Sequence, residues 1–241
     1  EYKLAQLVRA NQALYDFTKL YKVPCISGKD SMKNDSTRGG KKISIPPSVL
    51  FSAIAKMDDV SKAVTLDAKL PGDAVYVIGL TKPELGGSEY FAMLDATGNR
   101  VPQVDAKQAL ATYRAIGEIT EAELAHSLTT PALGGLGLAL ARTAMAGRLG
   151  VAVDLTRAPG AGGCNAAEML FSESNSRFVL TCAPKDRAKI EAILARMAVP
   201  FAEVGTVTEE PVVTISLPGK ETVAVTVDAL LKQYKGTLDH I

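Results

Sequence analysis

Between residues 74 and 216 the chain alternates short β-prone runs with longer helix patterns, and this alternation limits the possible folds more than any other feature. Strands are predicted at 74–80, 151–155, 178–182, 202–208 and 211–216. Helices are predicted at 105–124, 134–147, 164–171 and 185–197. The pattern has no regular repeat, which argues against a solenoid, and it predicts an α/β (α+β) fold.

The part of the chain before this alternation is organised differently. Apolar residues at helical spacing predict an amphipathic helix over residues 3–21, and the apolar run 23–26 predicts a short strand. A polar stretch rich in Gly, Ser, Asn and Asp continues to Gly40, and its composition indicates a loop with functional potential. A longer strand, entered through two prolines, is predicted at 43–57.

A domain boundary is predicted where the polar stretch Asp67–Asp73 ends in a Pro-Gly turn. We therefore expect one domain over residues 1–68, a second over 69–226 and a tail over 227–241. The chain does not open with Met and begins directly on a helix pattern, so we expect a fragment or a processed product.

Charge and hydropathy narrow the function classes. The 27 basic and 26 acidic residues give no surplus that would favour nucleic acid or an anionic membrane surface. No apolar run approaches the roughly 20 residues that span a bilayer, and the charged start does not resemble a signal peptide. These features predict a cytoplasmic protein.

The cysteines and histidines give little support for a metal centre. Cys25, Cys164 and Cys182 form no CxxC pair, so buried free thiols are expected rather than a zinc site or a disulfide framework. The two histidines are His126 and His240, and a histidine-based site would depend on His126.

The run Ser27-Gly28-Lys29-Asp30-Ser31 is the first candidate site, because it directly follows a predicted strand. Glycine allows backbone N–H groups to approach phosphate oxygens, and Lys29 adds a countercharge. Asp30 or Asp35 could hold Mg²⁺ through carboxylate oxygens. The run lacks the Walker A spacing, and an ordinary polar turn is the competing interpretation.

Three further segments combine glycine with polar side chains. Leu85–Tyr90 could place Ser, Glu and Tyr against a ligand or simply form a turn. Gly134-Gly135-Leu136 starts a predicted helix, where an anion is favoured, although close helix packing explains the glycines equally well. Phe171–Arg177 offers hydroxyls, an amide and Arg177 to a phosphorylated sugar, or is a plain surface loop.

Taken together and in this order, these segments resemble the second half of the phosphoribosylformylglycinamidine synthases. The similar stretches are VPCISGKDSMKND (23–35), IPPSVLFSAIAKMDD (45–59), GDAVYVIGLTKPELGGSEY (72–90) and MLFSESNSRFVLT (169–181). The resemblance extends from the first helix to about residue 226, and it places the chain in the aminoimidazole-ribonucleotide-synthetase-like superfamily. It implies part of an N-terminal-type domain, lacking its opening strands, followed by a C-terminal-type α/β domain.

This resemblance implies a function. Family members convert formylglycinamide ribonucleotide to the amidine, with ATP, Mg²⁺ and ammonia derived from glutamine. The implied partners are the N-terminal half of the same synthase and a glutaminase domain or subunit. The first half of the family protein supplies the catalytic histidine and most metal carboxylates, so the chain alone is expected to be inactive and to contain no catalytic residue of its own.

The resemblance also implies individual site residues. Gly28 matches a nucleotide-contacting residue, Lys29 stands where the small type of the family carries a metal-binding Asn, and Asp30 is the expected metal ligand. Ser31 matches a substrate-contacting residue. Ser172, Glu173 and Ser174 are the further substrate-binding residues expected from the polar loop.

One departure from the family pattern favours a different role. Members often carry an acidic run immediately before Gly-Gly-Leu, but here that run is Thr129–Leu133, without carboxylates. A non-catalytic structural or ancillary nucleotide-binding half is therefore a competing interpretation, and the chain could form a homodimer to cover exposed sheet edges. Within the same superfamily, the competing assignments are aminoimidazole ribonucleotide synthetase, selenophosphate synthetase, thiamine-monophosphate kinase and a hydrogenase-maturation protein.

Overall fold

The computed structural model describes residues 2–29, 35–44 and 48–236, in two compact units that divide between Asp58 and Asp59. The first unit contains helix α1 (Tyr2–Tyr21) and the hairpin of β1 (Ser36–Arg38) and β2 (Lys41–Ile43). Its turn consists of Gly39 and Gly40, whose φ angles of 59° and 76° suit a two-residue hairpin turn. The domain boundary expected near residue 68 stays a prediction.

Two strands predicted for this unit do not form in the residues that the structure describes. Residues 23–26 have no regular structure, and of the strand expected over 43–57 only Ile43 belongs to a strand, with 45–47 outside the described residues. Ile26 is 85% exposed and Leu50 is 93% exposed. A β-strand is stabilised by a hydrogen-bonded neighbour, and the described part of this unit supplies none for these apolar runs.

The second unit is built on a seven-stranded mixed sheet. Its strands are β3 (Ala74–Ile78), β4 (Ser127–Thr129), β5 (Gly150–Asp154), β6 (Phe178–Cys182), β7 (Phe201–Thr208), β8 (Val212–Ser216) and β9 (Thr222–Thr226). Its helices are α2 (Glu89–Met93), α3 (Ala106–Glu121), α4 (Gly135–Gly147), α5 (Ala166–Phe171), α6 (Arg187–Arg196) and α7 (Val227–Lys235). The strand order is β4-β6-β3-β7-β5-β8-β9, with β5 and β8 parallel and every other neighbouring pair antiparallel.

Helices cover both faces of this sheet, and the central strand β3 shows why. Every residue of β3 is fully buried, and successive side chains of a strand point to opposite faces. Val75 and Val77 belong to a core with α4 and α5, whereas Tyr76 and Ile78 belong to a second core with α3 and α6. A strand buried on both faces has no polar alternation, which explains its continuous apolar sequence.

The predicted α/β class is confirmed, and the helices and strands predicted between residues 74 and 216 form close to the expected positions. The sequence prediction missed α2, β4, β9 and α7, although Leu230 and Leu231 of α7 pack against the core. Cys164 and Cys182 are buried free thiols as predicted, but that prediction is wrong for Cys25, which is exposed in a segment without regular structure. Within the described ranges, no helix has the length and apolarity required to cross a membrane.

Candidate functional site

The predicted nucleotide loop is only partly described. Gly28 and Lys29 lie in an exposed stretch without helix or strand, and beyond the chain neighbours of Gly28 no described atom lies within 4 Å of the position that a Cβ on Gly28 would take. Asp30 and Ser31, the predicted metal and substrate ligands, lie outside the described residues. Packing against the described residues therefore does not explain why position 28 is a glycine.

Asp35, the alternative metal ligand, already binds cationic groups of its own unit. One carboxylate oxygen lies 3.1 Å from Lys42 Nζ, and the other accepts a hydrogen bond from Ser44 Oγ at 2.9 Å and lies 3.4 Å from Lys3 Nζ. The hydrogen bond from Lys42, followed by that from Ser44, lowers the pKa of Asp35 to about 2. A magnesium ion would have to displace these ammonium groups to use Asp35.

The remaining described residues also lack a metal cluster. No group of three or more His, Cys, Asp or Glu side chains that could hold an ion occurs in the part of the chain that the structure describes. His126 lies at the end of the sheet, where its Nδ1 is 2.8 Å from the buried Asp73 carboxylate. This pairing gives His126 a structural partner. His240 lies outside the described residues.

In the second unit, the loop 172–177 between α5 and β6 is tied to the loop 81–84 after β3. The hydroxyl of Ser172 accepts a hydrogen bond from the Glu84 amide at 3.2 Å, and that of Ser174 accepts one from the Lys82 amide at 3.1 Å. Both serines are buried. Their hydroxyls therefore hold one loop against the other, and their binding of substrate stays a prediction.

Arg177 is turned inward rather than towards a ligand. It is 1% exposed, and it donates to Ser174 O at 2.9 Å, to Thr81 Oγ1 at 3.0 Å and to Ser172 O. Burial lowers the pKa of Arg177 to about 10, and the negative charge of Glu84 is the largest opposing influence. Two of these acceptors belong to the same loop, whereas Thr81 lies 96 positions away, so the sequence of the loop alone does not indicate the inward orientation.

Glu173 connects the starts of two helices. Its Oε1 accepts hydrogen bonds from the Glu89 amide of α2 at 3.0 Å and from the Gly134 amide before α4 at 2.9 Å. Free N–H groups and the helix dipole favour an anion at such positions. The chain thus supplies its own carboxylate where the sequence suggested an external anion at Gly134, and substrate binding by Glu173 stays a prediction.

The start of α4 is closely packed against the end of α5. Gly135 has a φ of 65°, and a Cβ there would lie 2.6 Å from Leu170 O and 2.7 Å from Ser172 O. These are backbone atoms and cannot move aside as the end of a side chain can. Close helix packing therefore accounts for Gly135.

The Leu85–Tyr90 segment forms a turn that leads into α2. A Cβ on Gly86 would lie 2.8 Å from the backbone of Arg100, and Gly87 has a φ of 70°. Ser88 caps α2, since its hydroxyl accepts a hydrogen bond from the Phe91 amide at 3.2 Å. Tyr90 stacks on Phe171 with ring centroids 4.7 Å apart, which joins this turn to the end of α5.

A groove of about 470 Å³ opens beside the same loops, between residues 82–84 and 99–103. Glu84 lines it, and its Oε1 accepts a hydrogen bond from the Gln103 amide at 3.1 Å, while its Oε2 is buried without a hydrogen-bond partner among the described residues. Lys82 Nζ lies 3.9 Å from Glu84 Oε1 at the groove wall. The second unit thus presents a polar junction of loops, whose named side chains are largely hydrogen-bonded to one another.

Residues 71–217 match the family described as AIR synthase related protein, C-terminal domain. Because this match spans more than half of the chain, the chain belongs to that family, and the family predicted from the sequence is confirmed.

The similar curated relatives are PurL subunits of phosphoribosylformylglycinamidine synthases. The chain is 33% identical over 199 residues to the phosphoribosylformylglycinamidine synthase subunit PurL of Thermococcus sibiricus. This alignment covers 83% of this chain and 27% of that protein. It is 31% identical over 234 residues to the corresponding subunit of Chlorobium luteolum, and this alignment covers 95% of this chain and 30% of that protein. The chain thus spans less than a third of the length of these relatives.

The chain is also similar to solved structures of a PurL protein. The PurL of Thermotoga maritima complexed with FGAR is 25% identical, has a TM-score of 0.65, and is matched over 71% of this chain and 30% of that chain. The same protein complexed with ATP is 24% identical with a TM-score of 0.59, and at that identity it supports the fold alone.

Proposed function

We propose that this chain is part of a phosphoribosylformylglycinamidine synthase, an ATP-dependent C–N ligase of purine biosynthesis. The observation that carries the proposal is the similarity to PurL subunits, which spans 83% of the chain at 33% identity in one relative and 95% at 31% in another. The similar T. maritima PurL is complexed with FGAR, which supports formylglycinamide ribonucleotide as the substrate.

In the proposed reaction ATP phosphorylates the amide oxygen of the substrate, and ammonia derived from glutamine then displaces phosphate to leave the amidine. Gly28 and Lys29 would contact the nucleotide, and Ser31 the substrate. Glycine lets backbone N–H groups approach phosphate oxygens, and the Lys29 ammonium offsets their charge. Ser172, Glu173 and Ser174 are the further residues that we propose to bind substrate.

The proposed magnesium ion is not accommodated by the described residues of this chain alone. Mg²⁺ is usually held by one or two carboxylates together with substrate phosphates. Asp30 is the ligand proposed here, and Asp35 is occupied by ammonium groups. The other ligands would come from the N-terminal half of the same synthase, so we expect the isolated chain to be inactive.

A second candidate function is a structural half that shapes a catalytic site formed elsewhere. It is favoured by the internal use of the loop side chains, since Ser172 and Ser174 are buried and bonded to loop 81–84. The lack of carboxylates over 129–133 points the same way. A glutaminase domain or subunit and the N-terminal half would be the partners in either case, and we propose a cytoplasmic location.

The proposed function can be tested on the full reading frame, extended upstream of Glu1. ADP release would be measured with ATP, Mg²⁺ and ammonia, with and without formylglycinamide ribonucleotide. We expect substrate-dependent ADP release that is lost in Gly28→Val and Ser31→Ala, whereas Gly117→Ala on an exposed face of α3 leaves it unchanged. ADP release without any dependence on substrate would refute the assignment.

The two candidate functions are separated by the isolated chain and by the loop serines. Calorimetry of the 241-residue chain with ATP, with and without Mg²⁺, reports whether it forms a nucleotide site by itself. In the extended protein, Ser174→Ala should raise the KM for the substrate if the hydroxyl binds it. A purely structural role predicts an unchanged KM together with a lower melting temperature.

A further inference from the structure

We propose that the groove between residues 82–84 and 99–103 binds a small phosphorylated polyol, whose phosphate contacts Arg100 and Lys82 and one of whose hydroxyls donates to Glu84. The groove belongs to the second unit, and the proposal does not rest on the proposed enzymatic function. It follows from the size of the groove, from a buried carboxylate that lacks a donor, and from the charges along the groove wall.

The groove has the size of a small-molecule site and walls that the chain itself holds in place. Its volume of about 470 Å³ lies within the range of about 300–1,000 Å³ that ligand sites usually have. The Gly86 amide donates to Arg100 O at 2.9 Å, and the Gln103 amide donates to Glu84 Oε1 at 3.1 Å. These hydrogen bonds join the two loops, so the walls of the groove are formed before a ligand binds.

Glu84 gives the groove an acceptor that lacks a donor. Its side chain is 9% exposed, and its Oε2 has no hydrogen-bond partner among the described residues. A buried carboxylate oxygen without a donor is unfavourable, and a ligand hydroxyl would supply the missing donor. Because Oε2 is fully buried, the hydroxyl reaches it only when a neighbouring side chain turns aside.

Two side chains of the groove wall are held loosely enough to turn aside. Lys82 Nζ lies 3.9 Å from Glu84 Oε1 and 3.5 Å from Gln103 O, and Gln103 Nε2 lies 3.4 Å from Val101 O. Strong hydrogen bonds from nitrogen to oxygen measure about 2.7–3.2 Å, so these contacts are weak. Rotation of either side chain therefore costs little, and it would leave the Lys82 ammonium available to an anionic group of the ligand.

The charges of the groove favour an anionic ligand. Lys82 and Arg100 line it together with one carboxylate, that of Glu84, which leaves one positive charge in excess. Arg100 is exposed, and its guanidinium forms no ion pair within the part of the chain that the structure describes. A phosphate monoester carries a charge of about −1.5 to −2 at neutral pH, and a guanidinium can bind two of its oxygens at once. An uncharged sugar or a zwitterionic amino acid would leave the excess charge unbalanced.

Titration calorimetry of the full 241-residue chain with ribose 5-phosphate as the probe tests this inference. We expect a Kd between about 10 μM and 1 mM, with ribose and inorganic phosphate each binding at least about tenfold more weakly. Added salt should weaken binding, because the two cationic side chains are partly exposed and their charges are screened. In NMR spectra the amides of residues 82–84 and 99–103 should shift, including the Gln103 amide that donates to Glu84.

Substitutions locate the site. Arg100→Gln should weaken binding at least about tenfold at an unchanged melting temperature, since the side chain is exposed and the backbone bond to Gly86 remains. Glu84→Gln should weaken binding at least about threefold, because the amide nitrogen that replaces one carboxylate oxygen cannot accept a hydrogen bond. Arg114→Gln, on an exposed position of α3 outside the groove, is the matched control and should bind like the parent.

Three results would each overturn the proposal. The first is an absence of binding at about 10 mM ribose 5-phosphate. The second is an affinity for inorganic phosphate or ribose equal to that for ribose 5-phosphate, since either would show that the groove does not recognise a phosphate and a hydroxyl together. The third is parental affinity in Arg100→Gln or in Glu84→Gln, which would place the bound molecule elsewhere on the chain.

Discussion

Replacing Gly135 with alanine should destabilise the second unit and loosen the junction of its loops. The residue has a φ of 65°, a conformation that costs an L-residue about 1–2 kcal/mol. The new Cβ would also lie 2.6 Å from Leu170 O, 2.7 Å from Ser172 O and 2.9 Å from the carbonyl carbon of Phe171. Relieving such overpacking costs about 1–3 kcal/mol more, so we expect a total loss of about 2–5 kcal/mol in the free energy of unfolding.

The matched control is Gly117→Ala in α3. Gly117 is exposed within the helix, and beyond its chain neighbours and the backbone of its own helix no described atom lies within 4 Å of the position its Cβ would take, so the substitution removes backbone entropy from the unfolded chain without a clash. It should stabilise the unit by about 0.5–1 kcal/mol. The same chemical change is thus predicted to have opposite signs at two helix positions.

Urea unfolding followed by circular dichroism would measure both effects, because a shift of the midpoint at an unchanged slope reports a change in stability. A loss in Gly135→Ala below about 1 kcal/mol would refute the reasoning, because the backbone atoms of residues 170–172 would then have moved aside at little cost. Hydrogen exchange offers a second measurement. Amides in the 172–177 loop should exchange faster in Gly135→Ala and at the parental rate in Gly117→Ala.

The polar contacts give three further predictions. Arg177→Met leaves buried carbonyl groups of the loop without donors, and it should lower the free energy of unfolding by about 3–5 kcal/mol in urea titrations, with Arg177→Lys recovering only part of the loss. Because the pKa of Asp35 is lowered to about 2, its contribution to stability is present above pH 3.8 and is lost as the pH falls towards 2. NMR titration of the Asp35 carboxyl should show a midpoint near pH 2, and Lys42→Met should raise that midpoint. Burial and the hydrogen bond to Glu191 raise the pKa of Tyr76, so its contribution to the free energy of unfolding is present below pH 10 and declines at higher pH. Ultraviolet titration of the folded protein should therefore show the same number of tyrosines ionising below pH 12 in the parent and in Tyr76→Phe.

The core of the second unit was predictable from local sequence because local and long-range preferences agree there. The run 74–78 is apolar throughout, as a strand buried on both faces requires, and it forms β3. Asn165 and Glu168 form a capping box at the start of α5, so the helix begins close to the predicted position. In both cases the residues that define the element lie within it or directly beside it.

The first unit shows where such reasoning fails. The runs 23–26 and 48–57 have the apolar composition of strands, but composition does not supply the neighbouring strand that a ladder needs. β9 and α7 were missed for another reason. Their residues lie at or beyond the end of the family resemblance, and the short run Thr222–Thr226 becomes a strand through its pairing with β8.

The candidate site was the least predictable part, because a polar loop has the same composition whether it binds a ligand or binds its own chain. The two cases differ in whether the hydrogen-bonding groups are already used. In loop 172–177 the hydroxyls of Ser172 and Ser174 and the guanidinium of Arg177 are bonded internally, and Glu173 bonds two helix starts.

The surroundings of Gly28 are the opposite case, since no contact with a described residue explains the glycine. We therefore expect a substitution in loop 172–177 to act on the folding of the second unit before it acts on any ligand, whereas a side chain at Gly28 would meet no described atom beyond its chain neighbours. Loss of activity carries different weight at the two places. At all three positions, Gly28, Ser172 and Ser174, loss of activity reports on binding only when the free energy of unfolding is the same as in the parent, and we expect a variant at Gly28 to meet this condition more readily.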